Sequence, residues 1–261
     1  MKYFIDTEFL EGPQKEKFPI SLFRKQTPNT IDLISIGIIA EDGREYYAIS
    51  KDFNLEEAWN RFDINLVKVG EKKYRQKVYW LRENVLKPIF MELFKNYELT
   101  NDIYSNKQVN AFVKTVDSGA LDHLFCFTSL KSLLSLYGKT NKQIAEEVKE
   151  FCDFWNTLNS GRSLQNHPIE FYAYYADYDW VVFCWLFGKM IDLPKEFPMY
   201  CRDLKQMMDD KYYSIGTQKL PKNGWIELLK QHSSYPQQTD EHNALADARW
   251  NKKLYEFLTK L

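Results

Sequence analysis

The sequence predicts an α/β fold: a mixed β-sheet flanked by helices and carrying a mainly helical insertion. Three observations predict it. The first fifty residues hold three strand-like stretches. The middle of the chain is dominated by helical spacing. A further β-rich run at 169–176 is followed at once by an apolar helix.

The elements follow in order. Residues 2–6 (KYFID) are a short apolar run ending in an acid, and residues 31–40 (IDLISIGIIA) are an Ile-rich, buried strand. Asp42-Gly43 marks a tight turn, and residues 44–50 (REYYAIS) read as the returning strand. Residues 82–95 place Leu86, Ile89, Phe90, Leu93 and Phe94 at helical spacing. Residues 96–127 are polar and carry no assignment. A helix is predicted over 141–156, with Thr140 and Gln143 as a capping box and Ile144, Val148, Phe151, Cys152 and Trp155 as its stripe. Residues 180–190 read as a buried helix, 197–201 as a short strand, and a further helix starts near Asp203. Residues 211–238 hold Gly and Pro and read as loops. The last helix runs from about Asn243 to Leu258.

Composition narrows the function classes. The chain has 261 residues, 44% hydrophobic and 16% aromatic, enough for one large domain with a real core. Its formal net charge is −1, so a broad basic face for gripping long duplexes is not expected, although a local basic groove fits inside a neutral total. The cysteines Cys126, Cys152, Cys184 and Cys201 form no C-x-x-C pair, which argues against zinc and for free thiols in a reducing, cytoplasmic compartment. An acid at position 6 interrupts any signal-peptide core, and no run of about 18 apolar residues predicts a membrane span. His123, His167 and His232 stand in no motif and read as ordinary.

The chemistry lies in scattered acids. In Phe4-Ile5-Asp6-Thr7-Glu8, strand alternation puts Asp6 and Glu8 on one face. Two carboxylates side by side repel, and a bound cation removes that cost. Asp179, in ADYDW, heads a helical stripe of Val182, Phe183, Leu186 and Met190. Asp there also suits a helix N-cap. Asp247 shares a helical face with Trp250, Leu254, Leu258 and Leu261, and an acid on an apolar stripe should be paired or metal-bound. His242, five residues earlier, falls in the loop before that helix.

Taken in this order, the motifs resemble the DEDDh 3′-to-5′ exonucleases of the RNase H-like superfamily. The chain is most similar to a mycobacterial-type 3′-to-5′ exoribonuclease family. The stretches that carry the resemblance are KYFIDTEFLEG, IDLISIGIIAEDGREYYAIS, YYADYDWVVFCWLFG and DEHNALADAR. They cover roughly the first 55 residues and much of 140–255. Asp6 and Glu8 match the first motif, Asp179 the second, and His242 with Asp247 the third. Asp177 falls where relatives often carry another polar residue, which implies a place behind the metal ligands.

The resemblance implies an RNase H-like sheet forming a single exonuclease domain, 1–261, with insertions at about 60–80 and 91–139. Four carboxylates without soft donors suit two divalent cations, Mg²⁺ or Mn²⁺. Asp6 would bridge the pair, with Glu8, Asp179 and Asp247 completing the shell and His242 as general base. Phe9 and Leu10, just after the acid pair, would seat the terminal nucleotide. The implied partner is the 3′ end of a single-stranded nucleic acid, RNA in preference, with no membrane. Relatives include dimers, so the resemblance admits a homodimer. The implied reaction is hydrolysis of single-stranded RNA to nucleoside 5′-monophosphates. The alternatives are a DNA-directed 3′-to-5′ exonuclease of the same chemistry and a non-catalytic nucleic-acid-binding module. The second would be expected to have lost a motif acid, and none is missing.

Overall fold

The short apolar run at the start of the chain opens strand β1 (Lys2–Gly12), in which Tyr3, Phe4, Ile5 and Leu10 are buried. A computed structural model of the chain describes residues 1–16, 19–23, 25–70, 72–100, 124–158, 168–214 and 222–261. The Ile-rich run becomes β2 (Thr30–Ala40), buried at nearly every position, as expected for a strand covered on both faces. A tight turn at Asp42-Gly43, with Gly43 at φ +92°, leads into β3 (Glu45–Ile49). The Ala40 N–H donates to the Arg44 carbonyl at one end of this hairpin, and the Ser50 N–H to the Ile34 carbonyl at the other.

Next come helix α1 (Leu55–Asn60), strands β4 (Asp63–Val69) and β5 (Lys72–Val78), and a π-turn at Arg82–Leu86 running into α2 (Lys87–Thr100). Then follow α3 (Phe127–Tyr137), α4 (Asn141–Leu158), β6 (Glu170–Ala173), α5 (Ala176–Phe187), β7 (Arg202–Asp203), α6 (Leu204–Ser214), α7 (Lys222–Lys230) and α8 (Ala244–Leu258).

The sheet order is β3-β2-β1-β6-β7. β6 runs parallel to β1, pairing Glu170 to Tyr172 with Lys2 to Phe4, and β7 is parallel to β6. This is the expected mixed sheet flanked by helices. The chain's contacts divide it into two units: Met1–Phe9, Ser35–Ala48 and Asn141–Leu261, and separately Leu10–Ile34 with Ile49–Thr140. Both stretches expected as insertions, about 60–80 and 91–139, fall within the second unit. The first is a β-ribbon and the second is mostly helical where described, while residues 101–123, including His123, lie outside the described residues. His167 lies outside them too.

In the first unit, α6, α7 and α8 meet around Leu204, Met208, Trp225, Leu229, Leu254 and Leu258. In the second, the predicted stripe of Leu86, Ile89, Phe90, Leu93 and Phe94 is at most 3% exposed.

Several boundaries differ from the sequence reading. The segment 197–201 is not a strand, and β7 begins at Arg202. Residues 211–214 and 222–230 are helical rather than loop, and Phe127–Tyr137 is a helix where no element was assigned. All four cysteines are free. Cys152 and Cys184 are buried, whereas Cys126 is exposed. No described helix is long and apolar enough to cross a membrane.

Candidate active site

Strand β1 sets the site. Asp6 and Glu8 lie two residues apart on one face, both half-buried. Asp247, in the first turn of α8, meets them: one carboxylate oxygen from each of Asp6, Glu8 and Asp247 lies within 4.8 Å of the other two. This arrangement can hold a metal ion. Its donors are carboxylate oxygens, the ligand chemistry of hard divalent cations.

Close approach of α8 to the sheet depends on glycine. A Cβ on Gly37, in the middle of β2, would stand 2.2 Å from the Ala244 carbonyl oxygen and 2.4 Å from the Leu245 Cα. Backbone therefore touches backbone where the helix begins, as an isolated glycine in a strand suggests. Ala244 and Ala248 are fully buried on the same helix. One turn beyond Asp247, the Asn251 side-chain amide donates to the Ile5 carbonyl at 2.9 Å, fixing the helix beside Asp6. Neither Gly37 nor Asn251 was singled out from sequence. The glycine inside an Ile-rich strand was the available signal for the first.

The loop before α8 is shaped to serve Asp247. Asp240 and His242 both adopt positive φ, 55° and 69°. Asn243 caps the helix, accepting from the Ala246 N–H at 3.0 Å. The turn aims the His242 N–H at Asp247 Oδ2 (2.8 Å), while Gln238 Nε2 donates to Oδ1 (2.6 Å). Strained backbone held by such a network is a frequent feature of functional sites. His242 thus lies in the loop, as read from the sequence. Trp250, Leu254 and Leu258 form the buried stripe below Asp247, whereas Leu261 is exposed beyond the helix end.

Asp179 is placed differently from the expectation of an N-cap. Helix α5 starts at Ala176 after Tyr175, whose φ is +56°, so Asp179 lies inside the first turn. The Tyr175 N–H is taken by Asp203 Oδ1 at 3.2 Å. Asp179 Oδ1 instead accepts from the Thr7 N–H at 2.8 Å and the Thr7 hydroxyl at 2.7 Å. The physical reason lies in the sheet. β6 pairs only with Lys2 to Phe4, so the β1 edge beyond it needs another acceptor, and Asp179 provides one. Asp179 stands outside the group of three acids, yet its charge acts on both Asp6 and Glu8. Val182 and Phe183 are buried as its stripe predicted, while Met190 lies past the helix end and is exposed.

Burial and mutual repulsion raise these acids together. Asp6 is pushed well above the ordinary carboxylate range by burial, then by the charges of Asp179, Asp247 and Glu8. Burial, with Asp247 and Asp179, lifts Glu8 to about 8. Asp179 rises to about 7 through burial, against the pull of the Thr7 hydrogen bonds. Asp247 is raised by burial, opposed by Gln238 and the His242 N–H. Protons or cations must offset this crowding.

The remaining candidates separate. Phe9 is half-buried, and its ring stacks on exposed Tyr178 at 5.7 Å between centroids. Leu10 is 1% exposed and belongs to the core, so its burial leaves no surface for the expected nucleotide contact. Asp177 is exposed in the first turn of α5.

No protein-family model matches the chain. Curated proteins from two strains of Mycobacterium tuberculosis, CDC 1551 and H37Rv, both described as 3′-5′ exoribonucleases, are each 26% identical to it over 259 residues. The aligned region covers 99% of this chain and 94% of each relative. The chain is therefore similar, along nearly its whole length, to these mycobacterial 3′-5′ exoribonucleases.

Proposed function

We propose that this protein is a metal-dependent 3′-to-5′ exoribonuclease that hydrolyses the terminal phosphodiester of single-stranded RNA and releases nucleoside 5′-monophosphates. The observation that carries the reading is the meeting of Asp6, Glu8 and Asp247 within 4.8 Å on the sheet face. The relatives' description as exoribonucleases supports RNA as substrate.

The residues fit Mg²⁺ or Mn²⁺. The donors are carboxylates whose pKa values burial and then mutual repulsion raise, a cost that bound cations would offset. Asp6, Glu8 and Asp247 would hold the first ion. Asp179 would complete a site for a second. Divalent ions bound there supply charge neutralisation at the scissile phosphate and raise the acidity of water.

The chain's own residues orient and move the proton. Thr7 fixes the Asp179 carboxylate, while Gln238 and the His242 N–H fix that of Asp247. His242 serves as general base, accepting a proton from the attacking water as its oxygen bonds to phosphorus. The bond from phosphorus to the 3′ oxygen of the preceding nucleotide breaks, and that oxygen takes a proton from solvent. In the stacked Phe9–Tyr178 pair, Phe9 adjoins Glu8 and Tyr178 adjoins Asp179 in sequence, and the pair offers an aromatic face to the terminal base.

The test is digestion of a 5′-labelled single-stranded RNA with Mg²⁺ or Mn²⁺. Matched DNA, EDTA and Asp6→Ala serve as comparisons. The expected result is a ladder shortening from the 3′ end of RNA, lost with EDTA and reduced at least about 1000-fold in the variant, since several kcal/mol of charge stabilisation disappear. Intact RNA under every condition would overturn the reading. Shortening of DNA alone would reassign the substrate.

A further inference from the structure

The ribbon of β4 and β5 belongs to the second unit and takes no part in the acidic cluster. Its register pairs Lys68 with Lys73, Leu66 with Arg75 and Ile64 with Lys77. Directly opposed residues of an antiparallel ladder project from the same face. One face of the ribbon therefore carries Lys68, Lys73, Arg75 and Lys77, interleaved with Ile64 and Leu66, and no acid. The other face holds Val67 with Tyr74, Asn65 with Gln76, and Asp63 with Val78. Lys72 is the cation on that side, and Asp63 its counterpart in charge.

Three features mark the basic face as a surface awaiting an anionic partner. Like charges stand directly across the ladder at Lys68 and Lys73, so an anion between them is favoured. None of the four cations is in an ion pair among the described residues. Ile64 and Leu66 are 55% and 66% exposed among them. Lysines that merely protect an open strand edge would need no sorting. Here four cations lie on one face, in a chain whose 35 basic and 36 acidic residues otherwise balance.

We propose that this face binds the phosphate backbone of single-stranded RNA, holding nucleotides other than the one being cleaved. The proposal rests on the exonuclease reading for its choice of RNA. Residues alternating along one face of a strand recur every 6.7 Å or so, a step comparable with that between successive phosphates of an extended chain. Lys73, Arg75 and Lys77 follow such a line, with Lys68 across from its start. Lys77 Nζ lies 4.1 Å from the centroid of the Phe62 ring, which steadies its ammonium near the ribbon's base. Ile64 and Leu66 give the sugars and bases an apolar surface between the cations. Such binding reads charge rather than sequence.

The experiment compares the full-length protein with its K68Q/K73Q/R75Q/K77Q variant. Binding of a fluorescent 15-nucleotide RNA is followed by anisotropy in EDTA, across a series of KCl concentrations. Removing the four contacts should weaken binding at least about tenfold at low salt. It should also flatten the slope of log K against log salt by up to about 2.8, at roughly 0.7 per phosphate contact on a single strand. Hydrolysis of a dinucleotide in Mg²⁺ should be unchanged. K68R/K73R/K77R, which keeps every charge, should bind like the parent and controls for folding.

Equal affinity and slope in the parent and the Gln variant would overturn the proposal. So would a change from dimer to monomer in the variant without loss of RNA affinity, which would assign the face to a protein partner. The anisotropy needs no turnover, so a parent that binds with the expected slope but cleaves nothing would refute the exonuclease reading and leave the ribbon standing.

Discussion

Two groups of like charges differ in almost every physical respect. Asp6, Glu8 and Asp247, with Asp179 nearby, crowd negative charge where burial strips water from it. Lys68, Lys73, Arg75 and Lys77 crowd positive charge on a ribbon exposed to solvent. Water and salt screen the ribbon, and its repulsion is small. Burial leaves the acids far less screened, and their pKa values rise instead. The lesson is that burial, more than charge number, determines whether crowding is tied to folding. The acidic site should govern stability and require cations, whereas the basic face should govern only the binding of an anionic partner.

The largest expected effect tests this contrast directly. The folded-state pKa values of Glu8 and Asp179, about 8 and about 7, lie above their ordinary 4.5 and 3.8. Raised carboxyl pKa values contribute stability that is fully present below the ordinary values and is lost as pH rises through the folded ones. Without metal, the melting temperature should therefore fall between pH 4.5 and 8, by about 5 °C or more. Saturating Mg²⁺ should reverse the trend, because the cation binds the ionised carboxylates. At 100 times its Kd it adds about 2.7 kcal/mol. Asp6→Asn should raise the metal-free melting temperature and weaken the response to Mg²⁺. Neutralising the ribbon should leave the unfolding free energy within about 0.5 kcal/mol of the parent's. A metal-free melting temperature that does not change with pH would break the contrast.

Next in size is Gly37→Ala. The added methyl would press on the backbone of Ala244 and Leu245, which cannot move aside without shifting α8. A loss of about 1–3 kcal/mol is expected, as for overpacking elsewhere. Because the shift carries Asp247 away from Asp6 and Glu8, the affinity for Mn²⁺ should fall as well. Calorimetric titration checks this. Unchanged metal affinity in a folded variant would show that the cluster tolerates movement of the helix.

These same contacts show why the sequence was legible in some places and not in others. Strand β1 and the hairpin at Asp42-Gly43 obey short-range rules, and their residues announce them. The stripe below Asp247 is likewise periodic. Strands β4 and β5 lack that signal, since a ribbon exposed on both faces has no apolar alternation. The start of α5 was missed because its first N–H is held by Asp203, which is 28 residues from Tyr175. At the site, the acids were legible as types, but their supports were not. Thr7 meets Asp179 across 172 residues, and Asn251 meets Ile5 across 246. Such pairs exist only after folding, and no local pattern encodes them. Leu10 erred the other way: nearness to the acid pair in sequence suggested substrate contact, and although alternation keeps it on the face of Asp6 and Glu8, it is buried in the core.

The smallest effect sharpens the contrast within the acidic site itself. Thr7 gives Asp179 Oδ1 two hydrogen bonds, one from its backbone and one from its hydroxyl. Thr7→Val removes only the second and keeps the shape. A hydrogen bond to a charged group contributes about 1.5–3 kcal/mol. With the backbone donor still in place, the lower end applies, and activity at neutral pH should drop about tenfold. Both bonds hold the Asp179 pKa down against burial, so their partial loss should raise it further. The activity profile of the variant should therefore move to higher pH, with the deficit narrowing above pH 8. Thr7→Ser, which keeps the hydroxyl, should restore the parent profile. A tenfold loss that stays constant from pH 6 to 9 would mean that Thr7 acts by positioning Asp179 rather than by favouring its charge.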